Sequence, residues 1–261
     1  MKEEGIMRWF KFILVLIFLV VITLFVIGLY ANRPKTVLKN IVIKDNSSSL
    51  VFELSYAGFI PLGEGVFENK GIEKFNGKKV YHLKGTASPT PFLNSLYKTI
   101  EAEINSFIDK DSLNTLKYTE KTYISGKAKE EKTILYDQKN NIMERDGEKR
   151  IIFPNTHDPL SLLFYLIHQD FKMGETIDLN INTNQKNYRF YGEITEKVII
   201  ETGDKSFDVY LFKGNVQRRN NSLRHSSEFS IWFIDSPCKA PFLIKVFTNA
   251  GPIVARLTKI Y

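Results

Sequence analysis

The sequence predicts a mainly β protein: an N-terminal transmembrane helix, then a strongly curved antiparallel sheet or open barrel of about eleven strands. Two helices are expected in or over the concave side of that sheet. Three observations lead there. Phe12–Tyr30 contains no charged residue. From Leu50 onward, apolar and polar residues alternate in one short segment after another, with Gly, Pro, Asn and Asp between the segments. That is the pattern of strands with one wet face. Two segments break this period and are apolar at helical spacing.

Phe12–Tyr30 reads FILVLIFLVVITLFVIGLY. As a helix rising ~1.5 Å per residue it would span about 28 Å, close to the hydrocarbon thickness of a bilayer. Trp9 and Tyr30 flank it where amphipathic rings settle. A cleaved leader usually has a shorter apolar region and a small-x-small cleavage site. Leu29-Tyr30-Ala31 matches that poorly, so an uncleaved anchor is preferred and cleavage is the alternative. Lys2, Arg8 and Lys11 precede the span, and Arg33, Lys35, Lys39 and Lys44 follow it. Charge therefore does not set its orientation. Residues 1–34 are read as membrane anchor, 35–49 as a polar tether carrying the apolar trio Ile41-Val42-Ile43, and 50–261 as a single β-rich domain.

In that domain Phe52, Leu54 and Tyr56 alternate with Glu53 and Ser55. AGFIPLGEG (57–65) marks a bend or bulge, and Asn76-Gly77 a hairpin turn before Lys79–Leu83. The next segment, PFLNSLYKTIEAEINSFIDKDSL, places Leu93, Leu96, Ile100, Ile104 and Phe107 three and four apart. This predicts an amphipathic helix with Glu101, Glu103 and Asn105 in water. Strands are expected again over 116–125 and 132–136, and Asp146-Gly147 makes a turn before Ile151. The second helix follows in THDPLSLLFYLIHQDFKMGE (156–175). Asp158 suits its N-cap, Pro159 its first position, and Gly174 the reversal after it. Leu160 to Ile167 is apolar on nearly every side and too short to cross a bilayer, so it must be covered on more than one side. Strand-like alternation resumes from Ile177 and continues to Ile260.

Composition excludes more than it assigns. The formal charge is +7, from 36 Lys and Arg against 29 Asp and Glu. The basic residues are scattered and the aromatics sit at core-facing spacing, so no nucleic-acid partner is expected. Cys238 is the only cysteine, so no disulfide can form within the chain. His82, His157, His168 and His225 form no metal-binding pair at helical spacing. Nucleophile elbow, phosphate loop and dinucleotide fingerprint are all missing. Glu101 and Glu103 point to different sides of the expected helix, against a paired-carboxylate site. No catalytic residue, cofactor or metal site is expected, and no enzyme activity.

Three segments together carry a resemblance. LSYAGFIPLGEG holds Tyr56, Gly58 and Gly63. THDPLSLLFYL, with Gly174 after it, holds Asp158 to Leu166. FSIWFIDSPCKAPFLIKVFTNAGPIVARL holds Trp232, Asp235, Pro241, Gly251 and Leu257. In order and spacing they resemble the bacterial "domain of unknown function 3108" family over roughly residues 50–261. Ile167-His168 stands where that family often has Arg. The resemblance implies export, and so a soluble part in the periplasm or other extracytoplasmic space; residues 12–30 would tie it to the inner membrane by a single pass. It implies no established enzyme activity. It also implies a fold similar to Lol-type periplasmic lipoprotein carriers, a curved sheet around an apolar hollow with helices as lid.

On this reading the protein has two expected partners, the membrane through residues 12–30 and a lipid or other hydrophobic ligand in the concave face. Leu163, Phe164 and Ile167 would line the ligand site, with Leu96 and Ile100 facing them. The alternative is a non-catalytic structural or interaction module of an envelope complex, with a solid core and protein partners.

Overall fold

From Ser49 to Ile260 the chain runs as one strand after another, because each short alternating segment can bury one face only by curving against its neighbours. The computed structural model describes residues 33, 42–43, 49–96, 100–124, 126–202, 205–219, 226–236, 239–248 and 251–261. The expected anchor, Phe12–Tyr30, lies outside these. Among the described residues no helix is long and apolar enough to cross a membrane.

The elements in order begin with β1 (Val42–Ile43), β2 (Ser49–Tyr56), β3 (Ile60–Phe75), β4 (Lys78–Pro89) and α1 (Pro91–Leu96). Next come β5 (Ile100–Asp109), β6 (Thr115–Ile124), β7 (Lys127–Asp137), β8 (Ile142–Arg145), β9 (Glu148–Ile151), β10 (Thr156–His157) and α2 (Pro159–Ile167). The rest is β11 (Thr176–Thr183), β12 (Lys186–Thr202), β13 (Lys205–Arg218), β14 (Ser226–Ile234), β15 (Pro241–Thr248) and β16 (Gly251–Ile260). All the strands belong to one sheet, in the order β10-β11-β12-β13-β14-β15-β16-β2-β3-β4-β5-β6-β7-β8-β9. Only β10 with β11 and β1 with β16 run parallel. The mainly β, strongly curved sheet is as expected. Among the described residues it has sixteen strands rather than about eleven, because Ile100–Asp109 reads as helix and β1, β8 and β10 are too short to show an alternation. Val42–Ile43, within the segment read as tether, pairs with Lys259 and Ile260.

The first predicted helix is a correction. Among the described residues of this segment only Pro91–Leu96 is helical, and Ile100–Asp109 is β5. The same residues also alternate: Ala102, Ile104, Ser106 and Ile108 take one face, and Glu101, Glu103, Asn105 and Phe107 the other. Pairing with β4 and β6 on both sides decides in favour of that period.

Curvature is built into the backbone. Gly192 and Gly214 are directly opposite in β12 and β13. A Cβ on Gly214 would lie 2.0 Å from the Tyr191 carbonyl oxygen and 2.7 Å from the Phe229 ring. The strands approach this closely only because both residues lack a side chain. Register shifts in β3, β12 and β16 add local bends. The sheet thus curls until its ends meet, and side chains close the seam where the backbone ladder does not. Gln138, just after β7, donates to the carbonyls of Thr115 (2.6 Å) and Thr156 (2.9 Å) and accepts from the Thr156 N–H (3.1 Å). Tyr136 of β7 donates to Asn182 of β11.

Candidate functional site

α2 packs into the hollow of the sheet. Its burial divides between two apolar clusters: Phe164 joins Leu50, Phe52, Leu83, Ile108 and Phe242, while Leu166 joins Phe171, Phe190, Phe212 and Phe233. Phe164 is 3% exposed and Leu166 1%. Tyr81 of β4 packs on Phe164 with ring centroids 5.0 Å apart. Gly85, four residues on, leaves room for Leu160, whose Cδ2 would be 3.0 Å from a Cβ there. Leu162, Leu163, Tyr165 and Ile167 are only partly buried. The helix is therefore apolar around its circumference but covered on only part of it.

The expected site residues separate accordingly. Phe164 sits within the core, and Leu163 and Ile167 pack against the same cluster from a partly open position. Leu96 ends α1 and Ile100 begins β5, but their side chains lie outside the described part of the structure.

The N-terminus of α2 is anchored by a buried polar network. Asp158 is the N-cap, with its carboxylate accepting from the Leu160 N–H (2.8 Å) and Ser161 N–H (3.2 Å). The other carboxylate oxygen accepts from the Ser106 hydroxyl of β5 and the Thr115 hydroxyl of β6 (2.7 Å). Ser161, at the third helical position, accepts from the Asp158 N–H at 2.9 Å, which completes a capping box. Pro159 at the first helical position needs no N–H partner. Burial without a bonded cation raises the Asp158 carboxyl above its ordinary range, against the hydrogen bonds that lower it. His157 lies beside it, with Nδ1 3.3 Å from Ser161 Oγ. Burial lowers its imidazole to about 4, against a bond to the Leu113 backbone that raises it.

Ser161, His157 and Asp158 are the residue types of a hydrolytic triad, but their geometry is that of an anchor. The carboxylate faces hydroxyls rather than the imidazole, and Ser161 is fully buried. A reacting group could not reach it, and the backbone N–H of Asp158 already occupies its oxygen. Sequence reasoning found Asp158 and Pro159 but missed Ser106, Thr115 and Gln138. Ser161 three residues after Asp158 was the available signal for a capping box. The hydroxyls come from distant strands and had no local signal.

The far end of α2 is held near the surface. His168 Nδ1 lies 2.7 Å from the Phe164 carbonyl oxygen. Lys239, between β14 and β15, donates to the Gln169 carbonyl (2.9 Å) and to exposed Asp170. A shallow depression of about 280 Å³ lies elsewhere on the sheet, lined by Lys213, Gly214, Glu228, Phe229 and Phe247.

The motifs that meet in this arrangement are those of one family. Its model, described as "Protein of unknown function (DUF3108)", matches residues 51–258. The chain belongs to the DUF3108 family. In this DUF3108 member the Asp-Pro-Leu-Ser motif is the helix cap just described. No relative among the curated proteins matches the sequence. Among solved structures, a β-barrel-like protein of the DUF1849 family from Brucella abortus is similar in fold, at TM-score 0.56 and 9% identity, over 82% of this chain and 98% of that one. Matches at lower TM-scores are a candidate lipoprotein from Parabacteroides distasonis (0.33, 11% identity, 82% and 95% of the two chains) and a candidate exported protein with a YmcC-like fold from Bacteroides fragilis (0.31, 8% identity, 84% and 97%).

Proposed function

We propose that this DUF3108 protein holds the apolar part of a lipid, or another hydrophobic molecule, between α2 and the concave face of its sheet. The protein would be anchored in a bacterial inner membrane by residues 12–30, with the sheet in the periplasm. The observation that carries this reading is the incomplete cover of α2. Leu163 and Ile167 border the apolar cluster around Phe164 yet remain partly open, and such a mouth of apolar side chains with few polar groups is what a lipid site needs. A second reading, an interaction module with a solid core, draws on the near-complete burial of Phe164 and Leu166.

Photocrosslinking in intact cells separates the two. The full chain carries p-benzoylphenylalanine at position 163 or 167, and the adducts are identified by mass spectrometry. Lipid adducts at both positions are expected. Adducts to other proteins, or only to this chain's own sheet, would replace the carrier reading with the second one.

A further inference from the structure

We infer that the mouth beside α2 carries a binding site for an anionic headgroup, formed by a cross-strand row of Lys74, Lys79 and Lys110. The inference rests on the hydrophobic-ligand reading above and names the chemical class of that ligand, an anionic membrane phospholipid.

The register places the row. Tyr81 of β4 packs on Phe164, so its side of the sheet faces the helix. Ile72 of β3 and Ile108 of β5 are its direct cross-strand partners. Side chains directly opposite in a sheet share a face, and so do residues two apart on one strand. Two residues outward from Tyr81 is Lys79, and its partner in β3 is Lys74. On the other side the pairing of Val80 with Asp109 continues into the turn, where the Lys110 N–H donates to the Lys79 carbonyl at 3.2 Å. At the level of Phe164 this face therefore carries Tyr81 between fully buried Ile108 and Ile72, which is 52% exposed, and one step outward it carries three exposed lysines.

The charges of this row are uncompensated. Among the described residues none of the three lysines has an ion-pair partner. The acids of the same strands alternate to the opposite face. Glu73 there meets His82 at 2.5 Å, and the Asp109 carboxylate accepts from the N–H groups of Asp111 and Ser112. Exposed Asp111 follows Lys110 in the turn. Like charges directly opposite in a sheet are destabilising, and a bound anion would relieve the repulsion. The arrangement sets a buried aromatic, with an open aliphatic side chain at its side, next to a cationic rim. That sequence matches an acyl chain ending in a phosphate.

The test uses the full chain with the photoreactive residue at position 163, reconstituted in vesicles of equal parts phosphatidylglycerol and phosphatidylcholine. Each lysine near an anion changes its occupancy roughly fivefold, so phosphatidylglycerol adducts should exceed phosphatidylcholine adducts by at least about tenfold. The preference should vanish in the triple variant Lys74→Gln, Lys79→Gln, Lys110→Gln. It should fall to no more than about fivefold in Lys79→Glu, which leaves one net positive charge in the row, sets opposite charges across from Lys74 and should fold at least as well as the native chain. Equal adducts in the native chain, a preference surviving in the triple variant, or an undiminished preference in Lys79→Glu would overturn the anion site and leave the hydrophobic site standing. A native chain that yields no lipid adduct of either kind would overturn both.

Discussion

Asp158 offers the sharpest test of how α2 is held. Replacing it with Ala removes the acceptor for the Leu160 and Ser161 N–H groups and for the Ser106 and Thr115 hydroxyls. Loss of an N-cap costs ~0.5–2 kcal/mol, and each buried donor left without a partner ~1–3 kcal/mol. The Thr115 hydroxyl can turn to Ser161 Oγ, 3.0 Å away, which limits the sum. Asp158→Ala should therefore cost roughly 3–5 kcal/mol. Asp158→Asn keeps an oxygen for the two backbone donors, while its amide can donate to hydroxyls that rotate to accept. It should cost under ~1.5 kcal/mol at neutral pH. The two variants also differ from the native protein in pH dependence. The native carboxyl is raised by burial, so its contribution is fully present below its unfolded value and is lost as pH rises through its folded one. The native protein should thus lose stability relative to Asp158→Asn as pH climbs from about 4. Taking the difference between the two proteins cancels the titration of His157, which they share. Urea unfolding followed by intrinsic fluorescence across that range is the assay. An Asn variant as damaged as the Ala variant, or a flat difference with pH, would refute the account of a buried, uncompensated cap.

Three further outcomes follow. His157 is lowered to about 4 by burial, so stability present above pH ~6.5 should fall by about 3 kcal/mol as pH drops to 4, and His157→Gln should flatten that limb in the same unfolding series. Gly214→Ala would put a Cβ against unyielding backbone of β12 and the Phe229 ring of β14 and should cost at least ~3 kcal/mol by thermal unfolding; Gly126→Asn, at a positive φ with open space around it, should stay within ~1 kcal/mol. Gln138→Ala removes two hydrogen bonds to Thr156 across the seam and one to Thr115 of the neighbouring β6 and should speed amide exchange at Thr156 and destabilise by ~2–3 kcal/mol; unchanged exchange there would mean the seam is held by other contacts.

Those residues also show what the chain discloses without coordinates. Period-two alternation is local, so the strands around Phe52, Ile177 and Ile231 could be read directly. The second helix was equally legible, because Asp158, Pro159 and the apolar run state its start and its burial in consecutive positions. β5 misled because Ile100, Ile104 and Phe107 satisfy a helical spacing while Ala102, Ile104 and Ile108 satisfy a strand spacing. Only β4 and β6 on either side choose between them, and strand pairing is non-local. The anchor beneath Asp158 was hidden for the same reason: Ser106 and Thr115 lie more than forty residues upstream of it. The lysine row is likewise invisible until register aligns β3, β4 and the turn after β5.

The seam and the helix cap are one structure rather than two. Gln138 binds the backbone of Thr115 and Thr156, and the Thr115 hydroxyl binds Asp158, so the joint that closes the sheet also fixes the start of α2. The Thr115–Asp158 bond is buried and the Gln138 bonds are partly buried, and a broken bond costs most where water is excluded. The other end is fixed by Lys239 to the Gln169 carbonyl, partly buried, and to exposed Asp170, an ion pair that water can replace at little cost, and it has no fully buried bond of the Asp158 kind among these contacts. A displacement of α2 therefore pivots about Asp158 and opens at the end carrying Leu163 and Ile167. That is the end nearest Tyr81 and, beyond it on the same face, the three lysines. Loosening the pivot with Asp158→Ala should free the whole helix, while Lys239→Ala should free only its C-terminal turn. Hydrogen exchange resolved along 159–170 distinguishes these outcomes, and faster exchange confined to residues after Phe164 in the Lys239 variant is the result this mechanics requires.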